Sequence, residues 1–556
     1  MSSEAPPGGT AVTSQPQSRI KPAVVGLAGA ALVVVVALAV LLFFFVLRHQ
    51  AAIGKLVPDS AAVVLVANLD PSLGQKANLL SLSQKFPKLK TSQDLSRQID
   101  DTLNQGFKGS GLSFDKDIKP WLGSKLGVTV TVSDKPAVMF MVDSRDDAKA
   151  RAALSKLRNS DQAKAMHWSD STYQGQTVSV GTSGDGSEPA VYAYVDHTVL
   201  VANNESLVHD AIDADRGARG RLVESSQYKA TAAQLPADNL LLLYADGGPI
   251  VRQLKNSLRS DTTAVPASSL NQLDAFRSVG FAISAQSDGL AADLQIRLDA
   301  SKLDAATRTA LSQRMSLSPV TDRVPAKAYA FFATNAIKQS AQALADQAAS
   351  SGTDAKQALD QLGLTGPGGA LAHLTGLAAV ELAPSSSPAP GGALIVTADD
   401  SSSLKAFFDN VASSAEQSGT ASVQKQNHNG VEVTIVNDPS FSQQGYAPAY
   451  AVTGRLAIVG TTPDQVFAVL DANGQQGIAG NGSYRTVAGR VDQDPDATLF
   501  VDIAQGMAEI RAALPPSSQA QYDQDVAPNI GPLKALILTG KQTPDRLSER
   551  LFLKIQ

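Results

Sequence analysis

The stretch YAYVDHTVLVANNESLVHDAIDA, residues 192–214, decides the fold class. It opens with an apolar run, turns at Asp196-His197 and continues with a second apolar run at Thr198–Ala202, and helical spacing follows from Ser206. Two short β-rich runs around a polar turn predict a hairpin, and the segment behind them predicts a helix. Hairpins with helices interspersed indicate an α+β fold and not a regularly alternating parallel sheet.

A second stretch, YAVTGRLAIVGTTPDQVFAVLDA at residues 450–472, repeats this pattern with Gly454-Arg455 at the turn. Other segments match in the same order, at an offset of about 257 residues. The matched pairs are 58–64 with 325–331, 137–142 with 393–397, 173–178 with 428–433, 240–244 with 498–502, and 290–298 with 547–555. We interpret this order as an internal duplication, and chance similarity between two Ala-rich segments is the alternative.

The same periodicities predict further elements. The predicted strands and helices are Val63–Asn68, Val128–Val132, Val138–Val142, Phe281–Ala285 and Leu290–Leu298, then Arg145–Leu157, Glu205–Ala214 and Ser301–Met315. Asp143 or Ser144 is expected to cap the helix that starts at Arg145. The Pro- and Ser-rich segment 384–392 is expected to be an extended hairpin loop.

Residues 290–298 alternate between apolar and polar side chains, which predicts an antiparallel strand with one buried face and one wet face. The expected buried residues are Leu294, Ile296 and Leu298, and the expected wet residues are Asp293, Gln295 and Arg297.

The chain divides into five predicted regions. These are a disordered cytoplasmic tail at 1–22, a transmembrane helix at 23–47, a first ectodomain repeat at 56–300, a connecting helix and linker at 301–324, and a second repeat at 325–556. The fold class is therefore α+β, with one N-terminal transmembrane helix followed by two tandem copies of a mixed, mainly antiparallel sheet with packed helices.

Residues 23–47 carry no charged side chain. As a helix they would span about 37 Å, enough to cross a hydrocarbon core of about 30 Å with some tilt. Cleavage near Ala51-Ala52 is the alternative interpretation. Positive charges flank the span almost equally, so we place the tail in the cytoplasm because a long domain after a single N-terminal span is usually translocated. This predicts a single-pass plasma-membrane protein with an extracytoplasmic C-terminal region.

Composition excludes several function classes. Lys and Arg number 47 against 52 Asp and Glu, for a net charge of −5, and no basic run is present, which excludes a typical nucleic-acid binder. The chain has no cysteine. Disulfides, Cys-ligated zinc, iron–sulfur clusters, cysteine nucleophiles and lipid-modified cysteine anchors are therefore excluded.

Four short segments after the predicted span form a recognisable motif. They are Val57-Pro58-Asp59-Ser60, Asn68-Leu69-Asp70-Pro71, Gln75-Lys76 and Phe86-Pro87. The motif resembles a bacterial family of membrane-anchored proteins catalogued as domain of unknown function 3352. The resemblance implies an N-terminal anchor and an external α+β body, and it implies neither an enzyme activity nor any functional residue.

The motif also has a physical interpretation. Asp70-Pro71 is expected to start a helix, with Asp70 as its cap and Pro71 at its first position, and Phe86-Pro87 is expected to end it. A ligand role for Asn68 or Asp70 is the alternative.

The residues that usually carry chemistry form no recognisable site. The six histidines, none spaced as a metal motif, are His49, His167, His197, His209, His373 and His428. Asp492–Asp496 has the first spacings of a calcium loop, but Ala497 and Ile503 stand where glycine and glutamate are required. We expect a solvated turn there, with loose calcium binding as the alternative.

The glycine-rich segments and the tryptophans also form no recognisable site. The chain contains no GxSxG, and Gly181–Gly186, Gly366–Gly369 and Gly540-Lys541 fit no phosphate loop. Trp121 and Trp168 are expected to pack in the core, with sugar or ligand binding as the alternative.

We therefore predict no catalytic, cofactor-binding or metal-binding residue and no enzyme activity. The leading hypothesis is a non-catalytic binding or scaffolding module of the cell envelope. The alternatives are a carrier or sensor of an apolar ligand or lipid, and a hydrolase that uses dispersed Ser, Asp and His residues. The expected partners are the lipid bilayer through residues 23–47 and an envelope protein or lipid, but no nucleic acid; the oligomeric state is left open.

Overall fold

The structure is a computed structural model. It describes residues 53–89, 97, 100–101, 104–105, 112–133, 135–161, 163–184, 188–260, 267–350, 353–366, 368–385 and 390–556. The predicted tail at 1–22 and the predicted transmembrane helix at 23–47 lie outside these residues. None of the helices within the described ranges combines the length and the apolar character that a bilayer crossing requires.

The described part of the chain contains twenty strands. They are β1 Val63–Asn68, β2 Leu122–Val130, β3 Val138–Ser144, β4 His167–Tyr173, β5 Gln176–Thr182, β6 Ala190–Val195, β7 Thr198–Ala202, β8 Leu241–Asp246, β9 Phe276–Gln286, β10 Gly289–Leu298, β11 Ala330–Thr334, β12 Leu374–Ala383, β13 Gly391–Ala398, β14 Ser422–His428, β15 Val431–Asn437, β16 Ala449–Thr453, β17 Leu456–Gly460, β18 Ala497–Asp502, β19 Leu533–Thr543 and β20 Arg546–Ile555.

The described α-helices are numbered in chain order. They are α1 Ile53–Leu56, α2 Leu73–Ser83, α3 Asp147–Arg158, α4 Glu205–Arg216, α5 Ser226–Ala232, α6 Gly247–Ser260, α7 Ala267–Gln272, α8 Ala305–Ser312, α9 Ser318–Thr321, α10 Ile337–Ser350, α11 Thr353–Gln361, α12 Ala370–His373, α13 Ser401–Gln417, α14 Pro439–Ser442, α15 Pro463–Asp471, α16 Gly482–Ala488, α17 Ile503–Ala513, α18 Pro516–Gln521 and α19 Ala527–Ile530.

All twenty strands join one antiparallel sheet. Their order across it is β4-β5-β6-β7-β3-β2-β1-β8-β9-β10-β20-β19-β18-β11-β12-β13-β17-β16-β15-β14. The predicted α+β class with a mainly antiparallel sheet is confirmed. The expectation of one sheet per copy is wrong, because β10 and β20 pair along their length and make the sheet continuous.

The two ends of this order mirror each other. We call residues 53–298 the first half and residues 318–556 the second half; β1 to β10 pair among themselves as β11 to β20 do. At the junction Asp293 lies opposite Arg550, at the centre of the β10–β20 ladder. The halves are therefore related by an approximate twofold axis that passes between these two residues.

The hairpin that opened the sequence analysis is confirmed as β6–β7. Asp196 and His197 both have a left-handed φ, 41° and 60°, as a type I′ turn requires. This turn follows the natural twist of the two strands, so it sets their register. In the second half Gly454 has a φ of 57° at the corresponding place, which glycine adopts without strain.

One face of the sheet carries the main core. The helices on this face are α4 and α5 in the first half and α15 and α16 in the second. The buried residues that join helices to strands include Leu207, Val208, Ile212 and Met139 in the first half, and Val466, Val469, Phe331 and Phe500 in the second. Helices α3 and α13 pack on the opposite face.

Some local expectations are wrong. Asp293 and Gln295 are buried, at 6% and 9% exposure, because both faces of β10 are covered near the junction. Asp146, and not Asp143 or Ser144, caps α3 through the backbone N–H of Lys149.

Two other helices start later than expected. Helix α2 starts at Leu73 with Ser72 as its cap, where Asp70 and Pro71 were expected, and it ends at Ser83, before Phe86-Pro87. The helix expected at Ser301–Met315 is shorter, because Asp304 caps α8 and the chain before it forms a 3₁₀ turn.

Candidate ligand-binding cavity

A cavity of about 520 Å³ lies in the second half, within the range of small-molecule sites. Helix α9, the start of β12, the end of β13 and the β16–β17 turn line it, and it is open to solvent on one side. Its lining residues are Met315, Ser318, Pro319, Asp322, Arg323, Thr375, Leu377, Thr397, Ala398, Arg455, Leu456, Ala472 and Asn473.

A bulge in β12 shapes one wall of the cavity. The pairing of β12 with β13 shifts register between Leu374 and Ala378. Within this bulge Gly376 has a φ of 110°, and a Cβ there would approach the carbonyl oxygen of Asn335 to 2.8 Å. The bulge therefore requires glycine, and it turns Thr375 and Leu377 toward the cavity.

The polar side chains of the cavity are three hydroxyls, two guanidinium groups, one amide and one carboxylate, that of Asp322. The hydroxyls of Thr375 and Thr397 form a hydrogen bond with each other, and the Thr397 hydroxyl also donates to the Leu377 carbonyl oxygen over 3.4 Å. Arg323 donates from Nη1 to two carbonyl oxygens at the end of α15, at 3.4 and 3.3 Å, which holds its charged group in place. Arg455 lies exposed at the β16–β17 turn.

The corresponding bulge of the first half is occupied by the chain itself. The pairing of β2 with β3 shifts register between Leu122 and Leu126. Asp143, only 3% exposed, fills the bulge, and its Oδ2 accepts hydrogen bonds from Ser124 N at 2.8 Å and Ser124 Oγ at 3.2 Å. Burial raises the pKa of this carboxyl, and the hydrogen bonds from Ser124 act in the opposite direction.

The pairing registers define which residues correspond. Leu122 lies opposite Ser144, just as Leu374 lies opposite Ala398. The residue before Ser144 is Asp143 and the residue before Ala398 is Thr397. Thr397 therefore stands where the first half has Asp143.

The same registers relate the neighbouring residues. Gly123 follows Leu122 as Thr375 follows Leu374, and a Cβ at position 123 would overlap the Asp143 carboxylate. His197 and Arg455 also correspond. His197 precedes Thr198, the pairing partner of Asp143. Arg455 precedes Leu456, the pairing partner of Thr397. Relative to the first half, the second half therefore lacks one carboxylate, carries a threonine side chain where the first half has glycine, and carries a permanent positive charge at the turn.

This arrangement is suited to binding. Arginine stays charged at all physiological pH values and matches the geometry of oxyanions. The lining contains no histidine or lysine, and its one carboxylate is that of Asp322. Met315, Pro319, Leu377 and Leu456 supply an apolar surface beside the polar groups.

The described histidines are dispersed. His197 Nδ1 lies 3.0 Å from Asp147, which raises the pKa of His197, and His373 Nδ1 lies 3.0 Å from Asp399. His209 stacks on Tyr173 and His428 on Phe467. Among the described residues no group of three or more His, Asp or Glu side chains is placed to hold a metal ion.

The segment 492–496 is more than the solvated turn expected. Asp496 is buried, and it accepts hydrogen bonds from Asn335 Nδ2 at 2.9 Å and from Gln542 N at 2.8 Å. Arg314 also pairs with it over 3.3 Å. The carboxylate therefore joins β11, β19 and the segment before α9.

The motif after the predicted span forms a clamp between α2 and the strands. Gln75 Oε1 accepts from Ala285 N at 2.7 Å, and its Nε2 donates to the Asp238 carbonyl oxygen at 3.3 Å. Asn68 donates to the Asn239 carbonyl oxygen at 3.1 Å. Lys76 forms an ion pair with Asp70.

The two tryptophans differ, because Trp121 packs in the core as expected whereas Trp168 is only half-buried on the outermost strand β4. Trp121 is buried against α3, and its Nε1 donates to the Asp117 carbonyl oxygen at 2.6 Å. Trp168 packs over Gly181 and donates to the Ala163 carbonyl oxygen at 2.9 Å. Of the glycine-rich segments, Gly540-Lys541 lies within β19, whereas Gly181–Gly186 and Gly366–Gly369 lie partly outside the described residues.

Sequence reasoning alone missed the cavity. The only sequence signal that pointed to the cavity was the placement of Arg455 opposite His197 in the aligned repeats. The Thr397–Asp143 correspondence required the observed register.

The sheet and the cavity define an α+β protein with one long antiparallel sheet and a ligand-sized cavity in one of two similar halves. The chain belongs to the family described as "Protein of unknown function (DUF3352)", whose profile matches residues 23–554. No curated protein matches the chain.

Among solved structures, the chain is similar to TP0453. Crystal form I of that protein has a TM-score of 0.25 and 10% identity, covering 47% of this chain and 84% of that chain. Crystal form III has a TM-score of 0.25 and 11% identity, covering 47% of this chain and 86% of that chain.

Proposed function

We propose that this protein is a non-catalytic binding module of the cell envelope, which residues 23–47 anchor in the plasma membrane. Its ligand binds in the cavity of the second half. The observation that carries this proposal is the cavity itself, about 520 Å³ in volume and lined by hydroxyls, apolar side chains and two arginines, of which Arg323 is held by hydrogen bonds. Such a mixture of an apolar surface and a few polar groups is typical of ligand sites.

The anchor and its orientation form the first part of the proposal. The uncharged run at 23–47 supports a membrane span. Because the chain has no cysteine, a single Cys at Ser14 or at the exposed Ser440 can be labelled selectively. A membrane-impermeant maleimide applied to intact cells is expected to label only position 440. Labelling at position 14 alone would place the body in the cytoplasm and overturn this part.

Binding in the cavity forms the second part. We expect the full chain, taken from its own membrane, to carry a bound small molecule in native mass spectrometry. Ser318→Trp fills the cavity from α9 and should remove this extra mass, whereas Ser440→Trp lies outside the cavity and should retain it. An extra mass that survives Ser318→Trp would contradict binding at this place.

The apolar lining favours one variant of this function. Met315, Pro319, Leu377 and Leu456 would contact the hydrocarbon part of a ligand, as in a carrier or sensor of a lipid. A carrier should speed the transfer of a fluorescent lipid between two vesicle populations, and Ser318→Trp should abolish the increase. A rate that the protein leaves unchanged would argue against the carrier.

A further inference from the structure

Three asparagine–glycine pairs occur in the chain, and all three lie in the second half. They are Asn429-Gly430, Asn473-Gly474 and Asn481-Gly482. In such a pair the backbone nitrogen that follows the asparagine can attack the side-chain amide, and glycine favours this approach because it has no Cβ. The local sequence makes the three pairs similar, so the structure around each pair decides where ammonia is lost first.

Asn473 is the least restrained of the three asparagines. It lies exposed and lines the cavity, and its side chain forms no hydrogen bond within the part of the chain that the structure describes. The backbone N–H of Gly474 also has no acceptor among the described residues, and a Cβ at this position would meet nothing within 4 Å. The peptide between the two residues is held by Gln476 N, which donates to the Asn473 carbonyl oxygen at 3.0 Å. Rotation of this peptide toward the amide therefore breaks one hydrogen bond of a short 3₁₀ turn.

Asn481 is restrained at both ends of its amide. Its side chain is buried at 8% exposure and caps α16, with Oδ1 accepting from Tyr484 N at 2.9 Å. Its Nδ2 donates to the carbonyl oxygens of Ala326 at 2.9 Å and Ala328 at 3.2 Å. The amide can turn toward Gly482 only when the start of α16 opens, and such local opening costs free energy.

Asn429 is exposed, but hydrogen bonds hold both of its reacting groups. Its Nδ2 donates to Asp471 Oδ1 at 3.0 Å and lies 3.3 Å from His428 Nε2. The N–H of Gly430, whose nitrogen would attack, donates to Asn427 Oδ1 at 3.0 Å. These hydrogen bonds must break before the nitrogen and the amide can meet.

We propose that Asn473 undergoes spontaneous deamidation, and that it does so before Asn429 and Asn481. The nitrogen of Gly474 forms a bond to Cγ of Asn473 and gives up its proton, while the bond from Cγ to Nδ2 breaks and ammonia leaves. Water then opens the cyclic imide at either of its carbonyl carbons. The product is an aspartyl or an isoaspartyl residue at position 473, and each form carries a new carboxylate.

The new carboxylate changes the charge of the cavity. The lining has two arginines, Arg323 and Arg455, and one carboxylate, that of Asp322. A second carboxylate makes the two signs equal. Arg323 donates to the Ala472 carbonyl oxygen at 3.3 Å, so the carboxylate arises one residue from the point that holds this arginine. The effect on ligand binding rests on the proposed function, whereas the reaction itself does not.

The test follows the three pairs in the full chain, held in phosphatidylcholine nanodiscs and incubated at mildly alkaline pH. Mass spectrometry of proteolytic peptides measures conversion at each pair, and water enriched in heavy oxygen labels the new carboxylate. The same chain unfolded in urea gives the reference rate of each pair, because only the local sequence acts there. The ratio of the folded to the unfolded rate therefore isolates the effect of the structure.

We expect Asn473 to convert within about threefold of its rate in urea, because little holds it in place. Asn429 and Asn481 should convert at least about tenfold more slowly than in urea, because their reaction requires local opening. Gly474→Ala places a Cβ next to the attacking nitrogen and should slow conversion at Asn473 alone.

Asn427→Ala tests the ranking of the three pairs. It removes the acceptor that holds the N–H of Gly430, so conversion at Asn429 should rise about fivefold. Conversion at Asn473 should stay unchanged and serves as the internal control. An unchanged rate at Asn429 would show that these contacts do not set the order, and it would overturn the proposal.

Equal ratios of folded to unfolded rate at the three pairs, or a higher ratio at Asn429 or Asn481 than at Asn473, would also overturn it. The rates are measured without a ligand. A chain that carries no bound molecule in native mass spectrometry would therefore overturn the proposed function and leave the deamidation of Asn473 unaffected.

Discussion

In the first half the bulge at the start of β2 holds a side chain of the protein, whereas in the second half the matching bulge at the start of β12 opens to a cavity. The backbones share the same register shift. The difference lies in a few side chains, with Gly123 and Asp143 on one side and Thr375 and Thr397 on the other.

This difference shows how one repeat of a fold can keep a buried polar contact where the other repeat has an open cavity. A buried carboxylate with two hydrogen bonds completes the wall of the first half, and its removal would leave the backbone N–H of Ser124 without this partner. The second half has given up that contact and has gained an open surface with arginines. The two halves are thus internal controls for each other.

The largest expected effect concerns Glu381 in β12, which stands where the first half has Thr129. Glu381 is fully buried, and no side chain within the described residues donates a hydrogen bond to its carboxylate. Burial raises its pKa to about 8, and the Ala393 backbone acts weakly in the opposite direction. The folded protein therefore keeps a proton that the unfolded chain releases near its ordinary pKa of 4.5.

The free energy of unfolding should fall as the pH rises from about 4.5 to about 8, by about 5 kcal/mol. Glu381→Thr, which copies the first half, should remove this dependence. Urea unfolding at both ends of the pH window measures it, with Thr129→Val as the control in the first half. An equal pH slope in Glu381→Thr would contradict the account.

Asp143→Ala tests the filled bulge directly. The variant removes the buried acceptor of two hydrogen bonds and should lower the free energy of unfolding by about 3 kcal/mol. Thr397→Ala, at the corresponding place, removes only a hydroxyl and should cost about 1 kcal/mol. Denaturant unfolding of both variants gives the comparison, and equal losses would show that the two walls do not differ as described.

Gln75 and Gln342 give a matched pair in α2 and α10. Gln75 is buried and bonds to Ala285 and Asp238, whereas Gln342 is exposed and bonds to Asp346 of its own helix. Gln75→Ala should cost about 2 kcal/mol and Gln342→Ala less than about 0.5 kcal/mol. Thermal unfolding of the two variants measures the difference, and a small effect of Gln75→Ala would show that the clamp contributes little to stability.

The smallest effect is expected at the turns. His197 lies beside Asp147 on the surface, and that contact raises the pKa of His197. Its stabilising contribution is present below the ordinary pKa of 6.5 and is lost as the pH rises through the raised pKa. His197→Gln should therefore cost less than about 0.5 kcal/mol at low pH and nothing at high pH. A larger loss, or one that salt does not reduce, would contradict this surface assignment.

Much of the fold could be predicted because its signals are local. The turn at Asp196-His197 depends on neighbouring residues, and the β6–β7 hairpin forms as expected. The β10–β20 pairing could not be predicted, because its partners are far apart in sequence and no turn joins them. The same pairing explains why Asp293 is buried and not wet.

The cavity could be predicted only in part. The repeat alignment placed Arg455 opposite His197, which marks a change of charge at one turn. The rest depends on how Thr375 and Thr397 meet across a bulge, and a register shift of this kind leaves no pattern in the spacing of side chains. Comparison of the two observed halves supplied the missing information.

The position of β20 has a consequence for biosynthesis. Among the described strands it is the last to leave the ribosome, yet it lies in the middle of the sheet, between β10 and β19. About 250 residues separate β10 from β20, so at ordinary translation rates β10 keeps an unpaired edge for on the order of ten seconds or more. Unpaired strand edges invite intermolecular pairing. The speed of translation therefore sets how long the centre of this molecule stays open to aggregation.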